Sequence, residues 1–238
     1  MNTEDMKSKY DNWGVIFDVD GTMVSNTAYH RQAWFELCAR YDIPLTHELY
    51  HCKVHARSND KIVPGLFGSQ VDHSFIRTIE AEKEALYQEL FSPVMRETPG
   101  LTALLENLCQ TGIRCAAASN SPVGNVDFVL DGLCIRDYFS AIFCRDDVHT
   151  GKPNPELFLK AAQGLNLPPS RCLVFEDSAS GFIAARTAGM PYIAITAGGD
   201  PFELNEAHDA RLICKDFTTL TPKKLAVLLN GSAVCRSR

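Results

Sequence analysis

Short apolar runs alternate with longer stretches of helical period along most of this chain. Val15–Phe17, Arg114–Ala118, Ala141–Cys144, Cys172–Phe175 and Tyr192–Ile195 are compact blocks with little polar alternation, the pattern of strands buried on both faces. Between them, Leu101–Gln110, Val123–Leu130, Pro155–Leu165 and Gly181–Ala188 repeat their apolar residues at three- and four-residue steps, which predicts helices. Regular alternation of the two predicts an α/β fold, a parallel sheet core flanked by helices.

The rhythm breaks once, between the first strand and the helix that leads into the second. Asn26 to Ser92 has almost no strand pattern. It holds Ala28 to Tyr41, with Trp34, Leu37 and Cys38 at helical spacing, and a charged stretch from Asp72 to Phe91 carrying Phe75, Ile79, Leu86 and Leu90. Pro93, Pro99 and Gly100 punctuate the return to strand-helix alternation. The predicted organisation is a core of residues 10–26 and 94–238, with an α-helical cap, residues 27–93, inserted after the first strand.

Composition narrows the classes open to such a chain. With 238 residues, 45% of them hydrophobic, it can bury a full core. A net charge of −6 argues against a general nucleic-acid binder, which needs clustered Lys and Arg. The stretch from Met1 to Asn12 is polar and no apolar run is long enough to cross a bilayer, so a cytoplasmic protein with no membrane partner is expected. Nine cysteines without a C-x-x-C pair, with Cys115 and Cys172 inside apolar runs, predict reduced structural thiols.

Candidate chemistry gathers at the ends of the predicted strands, where open α/β sheets place their ligands. Asp18-Val19-Asp20-Gly21-Thr22 follows the first strand directly. Carboxylates two residues apart share one side of an extended chain, and together suit an oxygen-seeking cation such as Mg²⁺; an acidic turn closing a strand has the same appearance. Ser119-Asn120-Ser121 follows the second strand, either as a phosphate cradle or with Ser121 as a helix N-cap ahead of Pro122. Lys152 lies between Gly151 and Pro153, placed to neutralise a phosphoryl group or simply exposed in a loop. Glu176-Asp177-Ser178 ends a further strand, as metal ligands, holders of metal-bound water, or helix caps.

Each segment is ambiguous alone, but their order is not. DVDGT, the strand-end Ser119, Lys152 and the pair Glu176–Asp177 occur in the order of the four motifs of the haloacid dehalogenase superfamily, which the sequence resembles over nearly its whole length. The resemblance implies a Rossmann-like core in which Asp18 is the nucleophile and Asp20 the general acid and base. It implies Mg²⁺ held by Asp18 and Asp177, with the carbonyl of Asp20 as a further ligand, while Ser119 and Lys152 hold the transferring phosphoryl group. Glu176, beside Asp177, is expected to join the metal or orient its waters. Asp20 argues against dehalogenase chemistry, and the presence of Asp18, Asp20 and Lys152 argues against a non-catalytic binding protein.

The helical insertion looks like the cap of the β-phosphoglucomutase-like and sugar-phosphatase branch, which closes over the site and selects substrate. Tyr29-His30 and Arg57-Ser58 resemble cap and entrance segments of the β-phosphoglucomutases, making His30 and Arg57, with Asn120, candidate substrate-binding residues. The mutases carry a lysine and an asparagine where this chain has Pro122 and Val123. The expectation is a Mg²⁺-dependent phosphatase of a small phosphorylated metabolite, a sugar or polyol phosphate. The alternative is a sugar phosphomutase.

Overall fold

The computed structural model describes residues 12–54, 59–197, 203–231 and 235–236. Seven parallel strands form one sheet: β1 (Gly14–Phe17), β2 (Arg114–Ala118), β3 (Phe139–Phe143), β4 (Cys172–Glu176), β5 (Tyr192–Ile195), β6 (Leu212–Cys214) and β7 (Cys235–Arg236), in the order β3-β2-β1-β4-β5-β6-β7. β1 pairs with β2 on one side, Phe17 opposite Ala117, and with β4 on the other, Phe17 opposite Phe175. Strand order therefore reverses between β1 and β4, and ligands of open α/β sheets lodge beyond the carboxyl ends at such a reversal.

Apolar burial holds the sheet. Val15, Ile16, Phe17, Leu173, Val174 and Phe175 have no exposed surface, as strands covered on both faces require. Phe17 and Phe175 pack with ring centroids 4.9 Å apart, and Phe217 lies against both. Helices Leu101–Gln110, Val123–Gly132, Glu156–Gly164, Ala179–Thr187 and Pro222–Asn230 flank it, with Leu104, Leu108, Val129, Leu157, Phe158, Phe182 and Leu225 turned inward. Full burial of each such side chain is worth about 1.5–3 kcal/mol.

By internal contacts the chain divides into two compact units, Met1–Ser25 with Met95–Arg238, and Asn26–Val94. The second is helical, with Thr27–Arg40, His47–Lys53, Asn59–Phe67 and His73–Phe91. The first and last of these helices bury Trp34, Leu37, Ile79, Leu86 and Tyr87. Asp72 caps the last by accepting from Phe75 N–H at 2.8 Å. Asn26 is fully buried and donates to the Tyr87 hydroxyl at 2.6 Å.

Several elements differ from their predicted form. β3 begins at Phe139, two residues before the predicted strand, because it is the sheet's edge: Phe139 is buried, but Ser140 is exposed and Ala141, Ile142 and Phe143 are half-buried, which breaks the apolar run. β6 and β7 contribute three and two residues and depend on pairing with neighbours, too little sequence for a pattern. The helix Asn59–Phe67 contains Pro64, which reads as punctuation. The eight cysteines with described side chains carry free thiols, and burial pushes those of Cys38 and Cys144 up to about 11. Among the described residues, no helix is long and apolar enough to cross a membrane.

Candidate active site

Asp18 continues β1 by one residue. Its N–H donates to Phe175 O at 3.0 Å, so the β1–β4 pairing fixes its backbone, and its side chain is almost fully buried. Three strands later in sequence, β4 ends in Glu176 and is followed by Asp177, both buried. One oxygen from each of Asp18, Glu176 and Asp177 lies within 4.8 Å of the others. Lys152, also buried, donates to Asp18 Oδ1 at 2.6 Å and to Glu176 Oε2 at 2.7 Å, with its ammonium 4.6 Å from the Phe158 ring centroid.

Charge does not balance in this group. Burial, reinforced by Glu176, pushes the Asp18 carboxyl up to about 8 although Lys152 opposes the shift. Burial, Glu176 and Asp18 likewise hold Asp177 well above the usual carboxylate range. Burial disfavours the charge on Lys152, but Asp18 and Glu176 outweigh it and raise its pKa. Among the described residues, one ammonium thus serves three carboxyl groups in a buried site, a deficit of positive charge.

The hydrogen bonds show which oxygens are engaged. Glu176 Oε1 accepts from Asp177 N–H, Ser178 N–H and the Ser178 hydroxyl at 2.9–3.1 Å, while its Oε2 accepts from Lys152, so Glu176 anchors the lysine and the turn. Asp18 Oδ2 is buried and has no hydrogen-bond partner among the described residues. A buried carboxylate oxygen left this way is costly. The Thr22 hydroxyl reaches Asp177 Oδ1 only at 3.4 Å. The donor set is oxygen throughout, the chemistry taken by hard divalent cations.

Gly21 makes this geometry possible. Its φ is +86°, and a Cβ there would lie 1.9 Å from Asp177 Oδ2. Gly21→Ala is expected to cost about 1–2 kcal/mol in backbone strain and to displace the Asp177 carboxyl. Thermal melting and a cation titration check this, and a variant with unchanged melting and cation affinity contradicts it.

The loop after β2 completes the site. Ser119 N–H donates to Phe143 O at 3.1 Å, which holds the loop to the end of β3. The hydroxyls of Ser119 and Ser121 both donate to Asp20 Oδ2, at 3.1 and 2.6 Å. Asn120 is turned toward Lys152: its Oδ1 accepts from Lys152 N–H at 2.8 Å and its Nδ2 donates to Lys152 O at 3.2 Å. Its amide thus braces the lysine backbone, a different use from the substrate contact expected of it. A Cβ on Gly151 would fall 2.5 Å from Asn120 Oδ1, so the residue before the lysine has to be small.

Asp18, Asp20, Ser119, Lys152, Glu176 and Asp177 therefore converge at the strand ends of one unit. His30 belongs to the helical unit, where its Nδ1 lies 2.8 Å from Lys83 Nζ and its ring stacks on Tyr87 at 3.7 Å. Arg57 lies outside the described residues. Sequence reading gave Ser121 a place in a phosphate cradle or a capping role, not a bond to Asp20, and overlooked Asp146. The Val123–Gly132 helix has Pro122 as its N-cap, and Asp146 Oδ2 accepts from Val123 N–H at 2.9 Å. The available signal was the two-residue spacing of Ser119 and Ser121, which puts both hydroxyls on one side of an extended loop.

A parallel sheet with a buried lysine and acidic cluster at its reversal point is the frame of an enzyme that acts on an anionic group. Residues 15–195 match the family model for haloacid dehalogenase-like hydrolases, and the chain belongs to that family. A phosphorylated carbohydrates phosphatase of Thermotoga maritima is 29% identical, with 75% of this chain and 82% of that protein covered. The β-phosphoglucomutase of Bacillus subtilis is 31% identical, with coverage of 77% and 83%. A haloacid dehalogenase-type hydrolase of Entamoeba histolytica, solved by crystallography, superposes with a TM-score of 0.83 at 27% identity, over 92% of this chain and 100% of that one.

Proposed function

We propose that this chain, a phosphoric monoester hydrolase of its family, releases phosphate from a small phosphorylated sugar or polyol with Mg²⁺ bound. The observation that carries the reading is the Asp18 carboxylate, with Oδ1 held by Lys152 and Oδ2 buried without a partner among the described residues, followed two residues later by a second carboxyl gripped by hydroxyls. This reading makes Asp18 the nucleophile and Asp20 the proton donor.

Asp18 attacks phosphorus; the ester P–O bond breaks as Asp20 gives its proton to the departing oxygen, leaving an aspartyl phosphate and a free alcohol. Water then attacks that phosphorus and yields a proton to the ionised Asp20. The P–O bond to Asp18 breaks, and phosphate departs. Lys152 and Ser119 stabilise the charge on the phosphoryl oxygens, which is most of what such transfer demands. Asp18 and Asp177, with the Asp20 carbonyl, would hold the cation, and Glu176 keeps Lys152 and the β4 turn in place. When bound, Mg²⁺ supplies the positive charge that Lys152 alone does not. Selection among esters is assigned to the helical unit through His30 and Arg57.

Phosphatase is favoured over mutase by the helix after the serine loop. A second phosphate on the substrate needs a donor set of its own, and helix N-termini commonly supply one. Here Pro122 has no N–H to offer and Asp146 already accepts from Val123 N–H. The test is a Mg²⁺-supplemented panel of phosphorylated sugars, polyols, nucleotides and glycolate, followed by phosphate assay and ³¹P NMR. Inorganic phosphate released from a sugar or polyol ester is the expected result. Conservation of organic phosphate in an isomerised sugar would establish the mutase instead.

A further inference from the structure

Ser121 makes a hydrogen bond that neither the fold nor the phosphoryl site requires. It does not cap the following helix, whose first N–H is taken by Asp146. Its hydroxyl donates instead to Asp20 Oδ2 at 2.6 Å, shorter than the 3.1 Å bond from Ser119 to the same oxygen. Ser121 N–H meanwhile donates to Ser119 Oγ at 3.0 Å. The Ser119 oxygen accepts that amide, and its own proton points away toward Asp20.

Two donors on one carboxyl oxygen have a chemical consequence. A neutral carboxylic acid carries a single proton, and an oxygen that accepts two hydroxyl protons is occupied as an acceptor. We propose that Ser121 is a positioning residue for Asp20, holding Oδ2 as acceptor so that the proton of the acid sits on Oδ1 and leaves from there. The inference rests on the acid role given to Asp20 above. Ser119 cannot do this alone, because in that reading its hydroxyl is also needed by a phosphoryl oxygen when substrate binds. Ser121 then remains to hold Asp20. As the ester bond breaks, the leaving oxygen keeps the bonding pair and takes the Oδ1 proton, and Asp20 is left as a carboxylate still held by Ser121.

The role predicts sensitivity to the leaving group. An alkoxide leaving from a sugar or polyol phosphate needs the proton, whereas p-nitrophenolate is stable without it, and kcat/KM reports the steps through its departure. Ser121→Ala is expected to lower kcat/KM for the alkyl ester about tenfold, a fraction of the ~10²–10⁴ that a general acid contributes, with p-nitrophenyl phosphate changed by less than about twofold. Ser121→Cys, similar in shape but a weak donor, is expected to show the same selective loss, and Ser121→Thr to restore the alkyl ester. Asp20→Asn is measured beside them and is expected to lose the alkyl ester by about a hundredfold or more, and the aryl ester far less. Equal losses on both esters, or wild-type behaviour in Ser121→Ala while Asp20→Asn shows its selective loss, overturn the positioning role and leave the reading of Asp20 standing. Absence of a selective loss in Asp20→Asn removes the acid role, and the inference with it.

Discussion

Asp18→Asn is expected to lower kcat by more than about a hundredfold, a loss of at least ~3 kcal/mol of transition-state stabilisation. The carboxamide has nearly the same shape but cannot form the acyl phosphate, and no other group at the site replaces it. Asp20 is held by two serine hydroxyls, and Glu176 has both oxygens engaged. The fold should tolerate the change. Burial and Glu176 already push the Asp18 carboxyl up to about 8, so the native charge is a strain on the site, and a neutral side chain relieves repulsion with Asp177 and Glu176. Melting at or above the wild-type temperature with activity gone is the anticipated pair of results. A variant that keeps more than about a hundredth of wild-type kcat contradicts the nucleophile assignment.

Removing divalent cations is expected to abolish turnover, and returning Mg²⁺ to restore it. The physical ground is the surplus of carboxyl groups over Lys152 at one buried locus, together with Asp18 Oδ2, which has no partner among the described residues. Ca²⁺ should substitute poorly, since it favours more ligands and looser geometry than a compact pair of carboxylates offers. Binding also has a readout that does not depend on activity. A cation at a hundred times its Kd stabilises the folded state by about 2.7 kcal/mol, visible as a rise in Tm. Asp177→Asn should lose most of that rise while leaving the Lys152 contacts with Asp18 and Glu176 in place. Full activity in a metal-free preparation, or an Asp177→Asn protein with the wild-type Mg²⁺ shift, would rule out this cation site.

The sequence by itself determined where strands fall in the core and where the chemistry follows them. Burial of a strand on both faces demands a continuous apolar run, and that demand is local, so Val15–Phe17 and Cys172–Phe175 could be read without their neighbours. The polar residue that ends each run marked Asp18, Ser119 and Glu176 in the same way. Where burial was partial or an element very short, as at the start of β3 and in β6 and β7, the local signal weakened and the boundary or the strand was lost.

Only the tertiary structure decided which of these side chains meet and what each polar atom is bonded to. Lys152 and Asp18 are 134 residues apart, and Ser121 and Asp20 are 101 apart. Their meeting depends on strand order, with β1 between β2 and β4, which no local pattern encodes. Asn120 and Ser121 show the same limit at finer scale. Their residue types suited a substrate or phosphate contact and, for Ser121, a helix cap, whereas the amide bonds to the backbone of Lys152 and the hydroxyl to Asp20. A buried polar group takes whichever partner the packed chain brings within reach, because leaving it unpaired costs more than any one choice of partner gains.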